Sequence, residues 1–134
     1  MNSPTPALRL ALVGCGAITR QMHLPTARRL AGVTVAALVD PDVSAAECLA
    51  AAFAVPRVAA RLADVAADVD AVIIATPPHA RPALAQEAFA HGLHAFCEKP
   101  LANTVAECEE MVRAARAAGR VLAVGHMCRF FPVR

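Results

Sequence analysis

Leu8-Arg9-Leu10-Ala11-Leu12-Val13-Gly14-Cys15-Gly16-Ala17-Ile18 decides the fold of this chain, because it joins a short apolar run to a glycine turn. A run of this length and almost continuous apolar character reads as a strand covered on both faces. Gly14 ends that strand and Gly16 opens a helix. The backbone can therefore turn sharply, and the helix N-terminus can meet a pyrophosphate with no Cβ in the way. Thr19 takes the third position of the G-x-G-x-x-G pattern. A G-x-G also suits a plain tight turn, so the next apolar run carries weight. Val33 to Val39 ends at Asp40, 24 residues after Gly16, where a carboxylate accepts hydrogen bonds from an adenosine ribose. Asp40 is followed by Pro41-Asp42 with no adjacent arginine. A 2′-phosphate would meet two carboxylates and no nearby cation, which favours NAD over NADP.

Further apolar runs follow at Ala71 to Ala75, His94 to Cys97 and Val121 to Val124, separated by helix-period segments. Ser44-x-x-Glu47 and Thr104-x-x-Glu107 can each form a capping box, and Gly92 and Gly119 are placed as helix stops. In the last long helix Val105, Cys108, Met111, Val112 and Ala115 form one face, with Glu109, Glu110, Arg113 and Arg116 mainly elsewhere. Strands and helices alternating in this way predict parallel strands with right-handed crossovers. The expected fold is a doubly wound parallel α/β sheet, a Rossmann-type dinucleotide-binding domain over residues 7–125. A loose N-terminal tail over 1–6 and an outgoing segment over 126–134 flank it.

At 134 residues the chain suits one domain. It is 57% hydrophobic, yet its longest uncharged runs, such as Leu10 to Thr19 and Ala71 to Ala80, reach 10 residues. A membrane-spanning helix needs about 20, and the first residues lack the basic flank and apolar core of a secretory signal, so a cytoplasmic protein without membrane association is expected. A net charge of +2, scattered basic residues and 4% aromatic content give no nucleic-acid surface. Cys15, Cys48, Cys97, Cys108 and Cys128 are an odd set without C-x-x-C spacing, read as reduced thiols. No metal site is expected, since no histidine pair has ligand spacing supported by a third candidate. His23, His91 and His94 read as structural or surface residues, whereas His126 falls at a strand end near the rim.

Lys99 is the only lysine among 13 cationic Lys and Arg side chains, and it sits in Glu98-Lys99-Pro100 where a strand ends. Unlike a guanidinium, its amine can gain and lose a proton under mild conditions. Ligands of open α/β sheets collect beyond the carboxyl ends of strands. The segments Thr76-Pro77-Pro78-His79 and Cys97-Glu98-Lys99-Pro100 should therefore share a rim with the glycine turn.

The segments Val13-Gly14-Cys15-Gly16-Ala17-Ile18, Leu38-Val39-Asp40-Pro41, Ala75-Thr76-Pro77-Pro78, Gly92 to Leu101 and Gly125 to Pro132 together resemble the N-terminal domain of the Gfo/Idh/MocA oxidoreductases. The resemblance implies that Gly14, Cys15, Gly16, Ala17, Ile18 and Asp40 hold the cofactor. It implies that Thr76, Pro77, His79 and Glu98 line the nicotinamide side, and that Lys99 contacts the cofactor region and manages the proton of a sugar or polyol hydroxyl as hydride leaves. Two residues depart from the family pattern: Thr19 replaces a smaller third residue, and Arg81 stands where many members carry histidine. Family members continue for about another domain's length, so the C-terminal substrate domain is expected to be absent from this chain. Truncation should then expose apolar surface around Phe130 and Phe131, giving homo-oligomers or self-association. Two functions follow as expectations. One is the cofactor-binding part of an NAD-dependent sugar or polyol dehydrogenase. The other is a non-catalytic dinucleotide-binding sensor or interaction module.

Overall fold

The computed structural model describes residues 6–132. The strands are β1 (Leu8–Val13), β2 (Val33–Val39), β3 (Arg57–Ala59), β4 (Ala71–Ile74), β5 (His94–Cys97) and β6 (Leu122–Val124). They form a single parallel sheet in the order β3-β2-β1-β4-β5-β6. Helices α1 (Leu24–Ala27), α2 (Val43–Phe53), α3 (Arg81–Ala90) and α4 (Val105–Ala118) lie in the crossovers. This is the expected doubly wound fold, and the five expected strands fall within one residue of their sequence positions. The sixth, β3, was not among them. It has three residues, begins with an arginine and follows Pro56, so it is too short to show a period.

Alternation along the strands sorts the core onto two faces. Ala11, Val13, Ala37 and Val39 join a cluster with Ala85, Phe89, Met111 and Ala115 of α3 and α4. Leu12 and Leu38 point the other way, onto Leu24, Ala46 and Leu49. Leu12, Leu38 and Leu24 are wholly buried, and each such side chain contributes about 1.5–3 kcal/mol relative to exposure. The high hydrophobic content is thus spent on a sheet covered on both sides. No described helix is long and apolar enough to cross a membrane.

The helix ends match the sequence in one case and correct it in another. Thr104 caps α4, with Glu107 N–H donating to its hydroxyl at 3.2 Å and Thr104 N–H donating to the Glu107 carboxylate at 2.9 Å. Gly119 closes that helix at φ +62°, a conformation that costs glycine little. The Ser44–Glu47 capping box does not form. Asp42 is the cap, accepting from Ala45 N–H at 3.1 Å. The Asp42 N–H is in turn fixed by Asp40 Oδ1 at 2.9 Å, which starts the helix before Ser44. The expected apolar face of α4 is also narrower than its sequence suggests. Met111 and Ala115 are buried and Cys108 half-buried, while Val105 and Val112 are exposed, because the stripe that meets the sheet and α3 spans only part of the helix circumference.

The tail expected over 1–6 lies, apart from exposed Pro6, outside the described residues. In the outgoing segment, Met127–Phe130 form a short 3-10 turn, and residues 133–134 lie outside the described range.

Candidate functional site

The strand order reverses between β1 and β4: from β1 the chain runs outward through β2 and β3, then returns to β4 on the other side. A crevice opens at such a point beyond the strand ends. Here Gly14 touches the start of the β4 loop. It has φ +96°, and a Cβ on it would sit 2.9 Å from the Ala75 carbonyl oxygen and 3.1 Å from Thr76 Cγ2. Packing against the neighbouring strand therefore requires glycine at position 14. Gly16 differs, since a Cβ there would meet nothing within 4 Å. It borders open space in the crevice, the arrangement that leaves room for a ligand to approach the backbone.

Residues 17–27 are helical throughout, with a π segment at Thr19–His23 ahead of α1. Thr19 is wholly buried, and its hydroxyl donates to the Gly14 carbonyl at 2.5 Å. The departure at the third motif position is thus accommodated: the hydroxyl ties the helix to the turn, and the helix widens locally.

Asp40 secures the other side of the turn. Its Oδ2 accepts from Cys15 N–H at 2.8 Å while Oδ1 accepts from Asp42 N–H. Burial first, and the Asp40 charge second, push the Cys15 thiol up to about 11. Gly14, Gly16, Asp40, Thr76 and Pro77 line one cleft of about 650 Å³. Thr76 Oγ1 is shielded from solvent and has no hydrogen-bond partner among the described residues. An unpartnered hydroxyl, an uncrowded glycine and a carboxylate with spare lone pairs fit a dinucleotide whose phosphates and ribose supply the missing partners.

The same cleft corrects one premise. Arg61, in the loop after β3, lines it together with Asp40, so a cation borders the same cleft although none is adjacent in sequence. Sequence distance hid it, because parallel pairing of Val39 with Ala59 brings the two loops together.

Glu98, Lys99 and Ile18 line a second cleft of about 530 Å³, with His23, Phe96 and His126. Cys15, Gly16 and Ala17 border a shallower hollow against α2. His79 lies on the 3-10 turn Pro78–Ala80, is exposed, and lines none of these hollows. From sequence His23 reads as a structural or surface residue. The fold places its Nε2 3.0 Å from Glu98 Oε1, with its ring edge-on to Phe96 at 6.0 Å between centroids. The approach is close enough for an ion pair, yet Nε2 is buried and lacks an in-line hydrogen bond. Helical phase was the one available signal, since Ile18, Met22 and Thr26 recur every four residues beside His23 and all line this cleft.

Arg81 was also outside the expected site set. It is 5% exposed, and its guanidinium donates to the carbonyls of Thr76 at 2.9 Å, Glu98 at 2.7 Å and Pro100. Burial pulls its pKa down, opposed by Cys97 and Glu98. Among the described residues, no group of three or more His, Cys, Asp or Glu could hold a metal ion.

The family model described as an oxidoreductase family with an NAD-binding Rossmann fold, Gfo/Idh/MocA, matches residues 8–126. An inositol 2-dehydrogenase of Saccharopolyspora erythraea is 38% identical over 128 residues, covering 93% of this chain and 38% of that protein. An oxidoreductase from Agrobacterium radiobacter, solved with NAD+, L-tartaric acid and magnesium, superposes with a TM-score of 0.83 at 33% identity over 91% of this chain and 36% of that one. The WlbA dehydrogenase of Chromobacterium violaceum, solved with NADH and UDP-GlcNAcA, gives 0.88 at 31% identity over 96% and 37%. The chain thus spans little more than a third of the length of these three relatives.

Proposed function

Because this chain belongs to the Gfo/Idh/MocA oxidoreductases with an NAD-binding Rossmann fold, we propose that it is the cofactor-holding part of an enzyme that oxidises a secondary hydroxyl of a sugar or polyol. Bound NAD supplies the hydride acceptor. The backbone of Gly14 to Ile18 receives the pyrophosphate, and Asp40 accepts from the adenosine ribose. Thr76, Pro77 and Glu98 flank the nicotinamide, and exposed His79 lies outside that set. Lys99 takes the proton of the hydroxyl as its carbon loses hydride.

One observation carries this over a non-catalytic binding module. Lys99, an exposed amine, opens onto the cleft that holds Glu98, His23 and His126, on the rim that also carries the glycine turn. A module that only senses the dinucleotide has no need of ionisable groups there. Residues 7–125 then form the dinucleotide domain, and 126–134 lead toward a substrate domain that excludes water and orients the substrate. Phe130 and Phe131, 84% and 60% exposed, suit such packing or self-association. A cytoplasmic location fits this role.

The test joins binding to turnover. Titration calorimetry on the 134-residue chain should show NAD binding tighter than NADP. In a longer polypeptide carrying this domain with a substrate domain, Lys99→Ala should lower NADH production by about 10²–10⁴-fold with NAD affinity almost unchanged. Lys99→Arg should fail nearly as badly, because a guanidinium keeps its proton. An unchanged rate in Lys99→Ala sinks the proton-transfer role.

A further inference from the structure

We infer that Arg61 equips the ribose end of the Asp40 cleft to accept a 2′-phosphate, so that this domain binds NADP as well as NAD, and that Arg61 sets the ratio of the two. The inference rests on the dinucleotide reading of the cleft and adds a specificity residue to it. Register brings the parts together. Val39 pairs with Ala59, and Asp40 N–H donates to the Ala59 carbonyl at 3.1 Å. The chain that leaves β3 therefore runs past the end of β2. Asp40, Pro41, Ala60 and Arg61 line the same cleft.

Two further features favour phosphate there. First, both oxygens of Asp40 already accept backbone N–H groups, from Cys15 at 2.8 Å and Asp42 at 2.9 Å. Those bonds spread its charge and reduce its repulsion of an anion, while each oxygen keeps a lone pair for a ribose hydroxyl. Second, among the described residues the guanidinium is held by one carboxylate only. Arg61 Nη2 lies 3.0 Å from Asp64 Oδ1 and Nε 3.3 Å from Oδ2, with the two side chains 76% and 41% exposed. Exposed pairs of this kind are weak. A phosphate offers the same bidentate geometry with about twice the charge, so Arg61 leaves Asp64 for it at little cost. The other nearby carboxylates oppose this only modestly: Asp42 is turned to capping α2, and Glu87 Oε1 accepts from Ala63 N–H at 3.1 Å.

Calorimetric titration of the 134-residue chain with NAD and with NADP tests the inference, using two substitutions of opposite expected sign. Arg61→Ala should weaken NADP binding about five- to tenfold and leave NAD within about twofold. Asp64→Asn keeps the side-chain shape and frees Arg61, so it should tighten NADP about two- to threefold without changing NAD. Both positions are exposed, and unchanged melting temperatures will exclude misfolding. Equal effects of Arg61→Ala on both dinucleotides, or none on NADP, overturn the inference. So does a chain that binds NAD with no measurable NADP binding, which leaves the dinucleotide reading standing. A chain that binds neither overturns that reading and the inference with it.

Discussion

Arg81 Nη1 donates to the Glu98 carbonyl at 2.7 Å, so one side chain at the start of α3 fixes the backbone that presents Lys99. The same guanidinium holds the carbonyls of Thr76 and Pro100. Two loops from different strand ends are thereby set at one spacing. A planar group with five donors in a fixed fork spans carbonyls of two loops at once, where the ammonium of lysine is a compact point charge and an imidazole offers at most two donors.

Removing that group leaves three part-buried carbonyls without their donor. Arg81→Ala should destabilise the chain by about 3 kcal/mol, and Arg81→Lys by about half as much. Urea unfolding followed by circular dichroism measures both. A loss under about 0.5 kcal/mol in Arg81→Ala would show that the loops hold their positions without it.

Gly14 and Gly16 should separate folding from binding. Gly14→Ala puts a Cβ 2.9 Å from the Ala75 carbonyl oxygen at φ +96°, and should cost about 2–4 kcal/mol or prevent folding. Gly16→Ala meets no protein atom within 4 Å, so its melting temperature should stay within a few degrees while NAD affinity falls at least about tenfold. Thermal melts paired with calorimetry decide this. Equal stability losses in the two variants would remove the ligand explanation for Gly16.

Cys15 and Cys97 should be inert where Cys48 and Cys128 react. Burial pushes both thiols up to about 11; the Asp40 charge adds to this at Cys15, and Arg81 opposes it at Cys97. At pH 8 only about one molecule in a thousand carries either thiolate, and thiolate is the reactive form. Iodoacetamide at pH 8, followed by peptide mass mapping, should label exposed Cys48 and Cys128 first. The sign for stability follows from the same shift. A pKa raised on folding stabilises the fold below the unfolded value of 9.0, and that contribution is lost as pH rises toward 11. Cys15 labelling as fast as Cys48 would contradict its burial.

Arg9 and Asp70 join the starts of the parallel strands β1 and β4, at the end of the sheet away from the site. Asp70 accepts from Arg9 N–H at 2.8 Å, Nε at 3.1 Å and Nη2 at 2.7 Å, and these bonds hold its pKa below the usual carboxylate value. A lowered pKa contributes stability above the unfolded value of about 3.9, lost as pH falls through the folded one. The pair is more than a third exposed, so Asp70→Asn should cost only about 0.5–1 kcal/mol at pH 7 and less in 1 M salt. Denaturation at pH 7 and pH 3 checks it: the gap between wild type and variant should narrow at the lower pH.

Local chemistry was enough to read most of the fold. Continuous apolar runs, the glycine turn, the Thr104–Glu107 box and Gly119 act over a few residues, so periodicity and turn preferences reveal them without knowledge of neighbours. The same holds for the backbone positions of Gly14, Asp40, Thr76 and Glu98, which follow from strands ending on one rim. β3 escaped because three residues cannot display a period. The partners of the site escaped for a different reason. His23 meets Glu98, Arg81 reaches Pro100, and Arg61 lines one cleft with Asp40 across separations of 75, 19 and 21 residues. Contacts over such distances exist because parallel strands pair in one register and helices pack in one orientation. That register and packing come from the whole core, and no local stretch of sequence encodes them.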